Sequence, residues 1–172
     1  MHLHGRIDAF ARVQASLTRD PTAGVDLEML VAEELLAHAA DERKKVTSLT
    51  GPTVRLQPKA AETLALAFHE LVTNALKYGA LSVTKGRLKV GWRIEKAKDG
   101  SRLLIDWTEA GVSLSGDQPE RIGFGLELLQ RTLAYDLRGE AQLRFERDGL
   151  RCEISLPFDS SSFLLDERPM PT

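Results

Sequence analysis

The sequence is almost without cysteine: Cys152 is its only thiol. A single cysteine cannot form a disulfide within the chain, which excludes a small fold stapled by disulfides. The 172 residues are enough for one domain with a hydrophobic core, so such cross-links are not needed for stability. This cysteine usage is typical of a reducing compartment, and we expect a cytoplasmic protein.

Long apolar runs and an excess of either charge are missing as well. No stretch approaches the roughly 20 apolar residues that span a bilayer, and the N-terminal sequence MHLHGRID has no apolar signal-peptide core. Basic and acidic residues number 23 and 25 and are interspersed, for a formal net charge of −2. This balance gives no broad cationic surface for a nucleic-acid backbone. We therefore expect neither a membrane span nor a nucleic-acid partner.

The N-terminal segment has the periodicity of a helix with a narrow apolar seam. Its apolar residues are spaced by four, three and seven positions, as in a heptad repeat: Leu3, Ile7, Phe10 and Leu17. A seam this narrow suits packing against another long helix. The turn-forming segment RDPTAG ends the pattern. We therefore divide the chain into a helical appendage (1–22), one domain (23–158) and a polar tail (159–172) that is ordered only near Phe163.

The rest of the chain alternates between helices and paired strands. Asp26 precedes a helical segment and can cap it. A short strand at 54–56 leads into a helix from about Lys59 to Tyr78. Two strand pairs, each with an Asp-Gly turn, flank a further helical segment, FGLELLQRTLAYDL. This order predicts an α+β fold, a two-layer sandwich with helices on one face of a mostly antiparallel sheet.

The helix that contains FHELVTNALKYGA has two faces. At about 100° per residue, one arc must face the core and is apolar: Leu64, Phe68, Leu71, Val72 and Ala75. Glu70, Asn74 and Lys77 follow i, i+4, i+7 spacing on another side. A carboxylate, an amide oxygen and an ammonium suit a magnesium ion with phosphates, because phosphates and water complete the coordination of Mg²⁺. A solvated polar stripe has the same spacing, so the pattern alone leaves both interpretations open.

Two glycine features add to this pattern. Gly79 follows the helix, where we expect a left-handed cap. The sequence Gly123-Phe124-Gly125 directly precedes the next helix, and backbone amides at such a turn can bind phosphate. Taken alone, this second feature is equally typical of an ordinary loop and helix start.

These motifs resemble those of a known family. HELVTNALKYGALS resembles the N box of the GHKL ATPase superfamily, and closely the N box of HWE-type sensor histidine kinases, which begins with His-Glu. Trp107 and Glu109, followed by Gly111, match the family's Trp-x-Glu motif, and GFGLELLQRTL resembles its second glycine box. The motifs occur in the family's order, and the resemblance covers residues 25–157. It implies the two-layer ATP-binding sandwich of this superfamily, the Bergerat fold.

The resemblance implies the catalytic domain of a two-component kinase. Such a domain transfers the γ-phosphoryl group of ATP, with Mg²⁺, to a histidine for relay to a response-regulator receiver domain. Glu70 would act as the base or orienting group near the γ-phosphate, with His69 beside it. Asn74 would hold Mg²⁺, while Lys77 and Tyr78 would contact phosphate and nucleotide.

The resemblance also assigns the other contacts of the nucleotide. Glu109 would accept a hydrogen bond from the adenine amino group, and Gly111 would let the base approach closely. Gly123, Phe124 and Gly125 would bracket a lid over the triphosphate. The segment AGVSLSGDQPE departs from the Gly-Gly-Pro run that usually follows Trp-x-Glu, which puts the shape of the adenine pocket's rim in question.

The phosphoacceptor motif of the family, His-Arg-x-x-Asn, is missing from the sequence. The N-terminal helix resembles the second helix of the dimerisation hairpin, so we expect a fragment that joins half of this hairpin to a whole catalytic domain. The fragment could form a homodimer through that helix, and the acceptor histidine would lie on another segment. His4, followed by Gly-Arg, is the candidate for a cryptic acceptor.

Two alternative functions remain open at this stage. A GHKL serine kinase of the anti-sigma-factor type, acting in trans, would need no phosphoacceptor histidine, but the Trp-x-Glu motif argues against it. A degenerate GHKL scaffold would no longer use ATP, but the intact set of Glu70, Asn74 and Lys77 argues against that.

Overall fold

A computed structural model describes residues 2–113 and 124–165 of the chain. Four helices and seven strands follow one another in this order: α1 (His2–Arg19), β1 (Val25–Asp26), α2 (Leu27–Ala39), β2 (Val46–Thr50), β3 (Arg55–Leu56), α3 (Pro58–Lys77), β4 (Arg87–Ala97), β5 (Gly100–Ala110), α4 (Phe124–Leu137), β6 (Glu140–Glu146) and β7 (Gly149–Pro157). Short 3₁₀ turns at Ala40–Lys45 and Ala80–Ser82 follow α2 and α3. Within the described ranges, no helix is long and apolar enough to cross a membrane.

Five of the strands form one sheet in the order β2-β4-β5-β7-β6. The hairpins β4–β5 and β6–β7 turn at the two predicted Asp-Gly positions, and Gly100 takes a positive φ of 120°. All pairings in this sheet are antiparallel except that of β2 with β4, which is parallel. The predicted two-layer α+β sandwich with a mostly antiparallel sheet is confirmed. The parallel edge strand β2 was not predicted.

Helix α3 lies at the centre of the helical layer, in contact with α1, α2 and α4. Its predicted apolar arc is fully buried: Leu64, Phe68, Leu71, Val72 and Ala75. The strands contribute Leu103, Ile105 and Trp107 of β5 to the same core. The lone thiol, Cys152, is buried there too, on β7 opposite Trp107. The second helix begins at the predicted cap, since Asp26 Oδ1 accepts a hydrogen bond from the Met29 N–H at 3.1 Å.

Helix α1 packs on the domain through residues outside the predicted seam. Ala9 and Val13 are buried, and Val13 joins the same core as α2 and α3. The first three residues of the predicted seam remain exposed, at 68% for Leu3, 55% for Ile7 and 44% for Phe10. Small side chains let α1 approach closely: a Cβ at Gly5 would lie 2.5 Å from Cε1 of His69. These three residues are therefore left as an apolar surface on the outside of α1, whereas Leu17 packs against the core.

The C-terminal tail returns to the domain at one point. Phe163 is buried and forms a β-bridge with Leu56, and its ring centroid lies 4.6 Å from that of Phe158 with the rings tilted by 44°. The ordered segment that we expected near Phe163 is therefore present. The rest of the predicted tail, 166–172, lies outside the described residues.

Candidate functional site

Glu70 of α3 lies at a junction of three helices. Arg6 of α1 donates a hydrogen bond through Nε to Glu70 Oε1 at 2.7 Å. On the other side, the first turn of α4 comes so close that a Cβ at Gly125 would lie 1.9 Å from Glu70 Oε2. The carboxylate, which is buried, is thus held between a cation and a backbone that only glycine leaves open. Gly125 of the predicted glycine turn therefore lies directly beside the predicted base.

The other two members of the polar stripe follow along α3 toward solvent. Asn74 is half-buried one turn after Glu70, and Lys77 is exposed in the last turn. Tyr78 follows the helix, with 74% of its surface exposed. Because i, i+4 and i+7 positions share a helix side, the stripe runs from a buried carboxylate to an exposed ammonium. Oxygen donors next to a cation fit a magnesium ion together with anionic phosphates.

The carboxylate of Glu109 links the end of β5 to the turn after α3. Its Oε2 accepts a hydrogen bond from the Ala80 N–H at 2.8 Å, and its Oε1 accepts one from Trp107 Nε1 at 2.9 Å. Burial raises the pKa of Glu109, although these two hydrogen bonds oppose the rise. Both oxygens thus already have partners within the protein. The hydrogen bond from Glu109 to adenine remains a prediction.

Gly79 has a different function from the predicted one. Its backbone is extended, with φ −109° and ψ −155°, so the left-handed cap that we expected is wrong. A Cβ at Gly79 would lie 1.9 Å from Glu109 Oε2 and 2.9 Å from the Cα of Ala75. Glycine is needed here for space, because the Glu109 carboxylate lies against this backbone.

Gly79→Ala is therefore expected to lower the free energy of unfolding by about 1–3 kcal/mol, the usual cost of overpacking. At a glycine with an extended backbone and free space around it, the same change would instead raise the free energy of unfolding by about 0.4–1 kcal/mol. Urea unfolding measures the difference. Gly91→Ala on β4 is the matched control, since its Cβ would meet only the Thr50 carbonyl oxygen at an ordinary 3.6 Å. A Gly79→Ala variant as stable as this control would contradict the close contact with Glu109.

Gly111 also stands where only glycine fits, since its φ is +77° and a Cβ would lie 2.3 Å from the Lys85 carbonyl oxygen. Its N–H donates to Asp148 Oδ1 at 3.1 Å. Gly111 thus holds the end of β5 against two loops, and its contact with a nucleotide remains a prediction. Phe124 is the first residue of α4. Gly123 and the predicted lid lie outside the described residues.

His69 points away from the polar stripe, although it precedes Glu70 in the sequence. It is buried, and its Nδ1 lies 2.7 Å from Oε1 of Glu34 on α2. Arg12 of α1 forms an ion pair with Oε2 of the same carboxylate. Burial opposes ionisation of Glu34, yet the hydrogen bonds from His69 and Arg12 lower its pKa overall. The structure therefore brings Glu70, Asn74 and Lys77 to one side of α3 and places His69 on another side.

Three charged residues of these networks were not predicted: Arg6, Arg12 and Glu34. Each of them meets its partner across a long stretch of sequence, 64 residues for Arg6 and Glu70 and 35 for Glu34 and His69. Helical periodicity carries no information about contacts at such separations. No motif in the sequence pointed to these three residues.

Known histidine kinases are similar to this chain in sequence. Residues 1–53 match the family model described as HWE histidine kinase. A blue-light-activated histidine kinase of Brucella abortus (strain 2308) is 30% identical over 159 residues, which cover 92% of this chain and 32% of the relative. Blue-light-activated histidine kinase 1 of Erythrobacter litoralis (strain HTCC2594) is 39% identical over 115 residues, 66% of this chain and 31% of the relative. The chain thus spans about a third of the length of these relatives.

Solved structures share the fold. The histidine kinase domain of a blue-light activated histidine kinase from Erythrobacter litoralis superposes with a TM-score of 0.62 at 18% identity, covering 91% of this chain and 79% of that one. The ATP binding domain of PrrB from Mycobacterium tuberculosis gives a TM-score of 0.52 at 25% identity, covering 79% of this chain and 96% of that domain. These similarities confirm the sandwich, and the sequence relatives confirm the resemblance drawn from the three motifs. In sequence, the chain is thus similar to members of the HWE histidine kinase family.

Proposed function

We propose that this chain contains the ATP-binding catalytic domain of a two-component sensor histidine kinase, with α1 as one helix of the dimerisation hairpin. The observation that carries this proposal is the stripe of Glu70, Asn74 and Lys77 on α3, which leads from a buried carboxylate beside Gly125 to the surface. Asn74 is the only asparagine of the sequence. In this proposal, residues 1–22 belong to the dimerisation hairpin and residues 23–158 form the catalytic domain.

In the proposed reaction the bond from the γ-phosphorus to the oxygen of the ADP leaving group breaks, and a phosphorus–nitrogen bond to a histidine forms. Such a transfer depends on positioning and charge neutralisation more than on covalent chemistry by the protein. Lys77 would place a positive charge near the phosphates, and Glu70 would orient the attacking imidazole and accept its proton. Asn74 would contribute its amide oxygen to Mg²⁺, which neutralises phosphate charge when bound.

The proposed partners follow from this function. The acceptor histidine would lie on another segment, and a response-regulator receiver domain would take the phosphoryl group from it. The exposed seam of Leu3, Ile7 and Phe10 is an apolar surface of the kind that pairs with a second helix, which supports a homodimer through α1. The relatives are named as histidine kinases, which favours histidine over serine as the acceptor.

Nucleotide binding is the first test. A ligand at about a hundred times its dissociation constant adds roughly 2.7 kcal/mol to the stability of the native state, so Mg²⁺ and ATP together should raise the melting temperature clearly above that with EDTA and ATP. Asn74→Ala should remove the magnesium-dependent part of this rise without destabilising the fold, because Asn74 lies off the buried arc. Differential scanning calorimetry of both proteins measures the effect.

Thr73→Ala is the control for this variant, since the hydroxyl of the neighbouring Thr73 donates to the His69 carbonyl oxygen within the helix at 2.9 Å. It should keep the full magnesium-dependent rise. If millimolar nucleotide leaves the melting temperature unchanged, the kinase assignment is wrong. That result would favour a degenerate GHKL scaffold that no longer uses ATP. An unchanged magnesium effect in Asn74→Ala would contradict only the metal-binding role of Asn74.

A further inference from the structure

His69 lies in a cluster of side chains on the side of α3 away from the stripe of Glu70, Asn74 and Lys77. Glu34 and His38 lie one turn apart on α2, so their side chains share one side of that helix. His69 meets them from α3. One ligand atom from each residue lies within 4.8 Å of the other two, and no other group of three His, Cys, Asp or Glu residues in the described parts of the chain is as close.

The distances in this cluster approach those of a metal site. Oε1 of Glu34 lies 2.7 Å from Nδ1 of His69 and 3.1 Å from Nε2 of His38. A tetrahedral zinc ion with bonds of about 2.0–2.1 Å holds its ligand atoms about 3.3 Å apart. Both distances therefore need to change by well under 1 Å. His38 is the most exposed of the three side chains, so rotation of its ring can close the remaining distance to His69.

His38 Nε2 gives a second, independent indication. This atom is buried and has no hydrogen-bond partner among the residues that the structure describes, although it lies 3.1 Å from Glu34 Oε1. A buried polar atom without a partner is costly and uncommon, and coordination to an ion removes that cost. A cation between the three side chains would give Nε2 a partner.

The nature of the donors selects the metal. We propose that Glu34, His38 and His69 bind one zinc ion, with water in the fourth position. Two imidazole nitrogens and one carboxylate oxygen suit Zn²⁺, whereas Mg²⁺ and Ca²⁺ prefer oxygen ligands. Arg12 binds the second oxygen of Glu34, which orients the carboxylate as outer partners of metal ligands commonly do. Its positive charge also opposes the metal ion and should weaken the affinity.

The zinc ion would have a structural role and would not contact the phosphates of ATP. A zinc ion there fixes α2 to α3 at the residue before Glu70, and it holds Glu34 in the ion pair with Arg12 of α1. Loss of the ion would loosen three helices at once. The proposal is independent of the kinase assignment, since it concerns only the three ligands and their geometry.

Calorimetric titration of EDTA-treated protein with ZnCl₂ is the direct test. We expect one equivalent to bind, with a rise in melting temperature that MgCl₂ does not cause. Cobalt(II), a spectroscopic probe for zinc, should give the intense visible absorption of a four-coordinate site. His38→Ala should weaken zinc binding by at least about tenfold, since even the loss of an outer partner of a metal ligand costs 10–100-fold.

Controls separate this site from accidental binding. The double variant His2→Ala, His4→Ala removes the other two histidines of the sequence and should bind zinc as the parent does. Cys152 is no competitor, because burial raises the pKa of its thiol to about 12. His38→Gln, which keeps the side chain polar, is the second variant should His38→Ala fold poorly in EDTA. Absence of zinc binding, or equal affinity in the His38 variants, would overturn the proposal.

Discussion

Glu70→Gln is expected to lower phosphoryl transfer by about 100-fold or more, the usual contribution of a well-placed general base. The change removes a negative charge and a proton acceptor but keeps the shape of the side chain. The amide oxygen can still accept the hydrogen bond that Arg6 donates to Oε1, so the junction between α1 and α3 should remain intact. A loss of activity would therefore reflect chemistry, not misfolding.

The measurement is transfer of label from ATP to a phosphoacceptor segment supplied in trans, with the rise in melting temperature by Mg²⁺ and ATP as the check on binding. This rise should survive in Glu70→Gln, because Asn74 and Lys77 are unchanged. Glu62→Gln is the matched control: Glu62 lies on the same helix and accepts a hydrogen bond from Gln14 at 2.6 Å, away from the polar stripe. A transfer rate in Glu70→Gln equal to that of the control would refute the assignment of Glu70.

Phe68→Ala should have the largest effect on stability, a loss of about 3–5 kcal/mol in the free energy of unfolding. The ring is completely buried on the arc of α3 that faces the sheet. Its removal loses the transfer free energy of the ring and leaves a cavity that a packed core fills only in part. Because a domain of this size is stabilised by about 5–15 kcal/mol, the variant would lose a large share of its stability.

Urea unfolding followed by circular dichroism gives this difference directly. Tyr135→Ala on α4 is the control, since 88% of the Tyr135 surface is exposed and its removal should change stability by no more than about 0.5 kcal/mol. A loss below about 1 kcal/mol for Phe68→Ala would mean that the arc of α3 is not the centre of the core.

Local patterns in the sequence predicted most of the fold. The Asp-Gly pairs indicated both hairpins, and the 3.6-residue period of α3 indicated its buried arc, because turns and helix faces depend on residues close together in the chain. Strand β2 escaped prediction for a physical reason. It is short, only half-buried and shifted in register between Val46 and Ser48, so it shows no clean alternation of apolar and polar residues.

The candidate site was predictable along α3 and less so across elements. Spacing within one helix brought Glu70, Asn74 and Lys77 together, but the partner of Glu70 comes from α1. Gly79 shows the same limit: its residue type was noticed, but the reason for it is the carboxylate of Glu109, which comes from β5. Contacts between distant residues arise from packing and leave no period in the sequence.

The burial of Cys152 keeps its thiol from reacting with thiol reagents while the protein is folded. The thiol lies in the middle of the sheet, and burial, followed by the nearby charge of Glu109, raises its pKa to about 12, so almost no thiolate exists at neutral pH. An alkylating agent can therefore react only when the sheet opens. Since this sequence has no second cysteine, the rate of Cys152 alkylation reports how often this domain unfolds, without an engineered label.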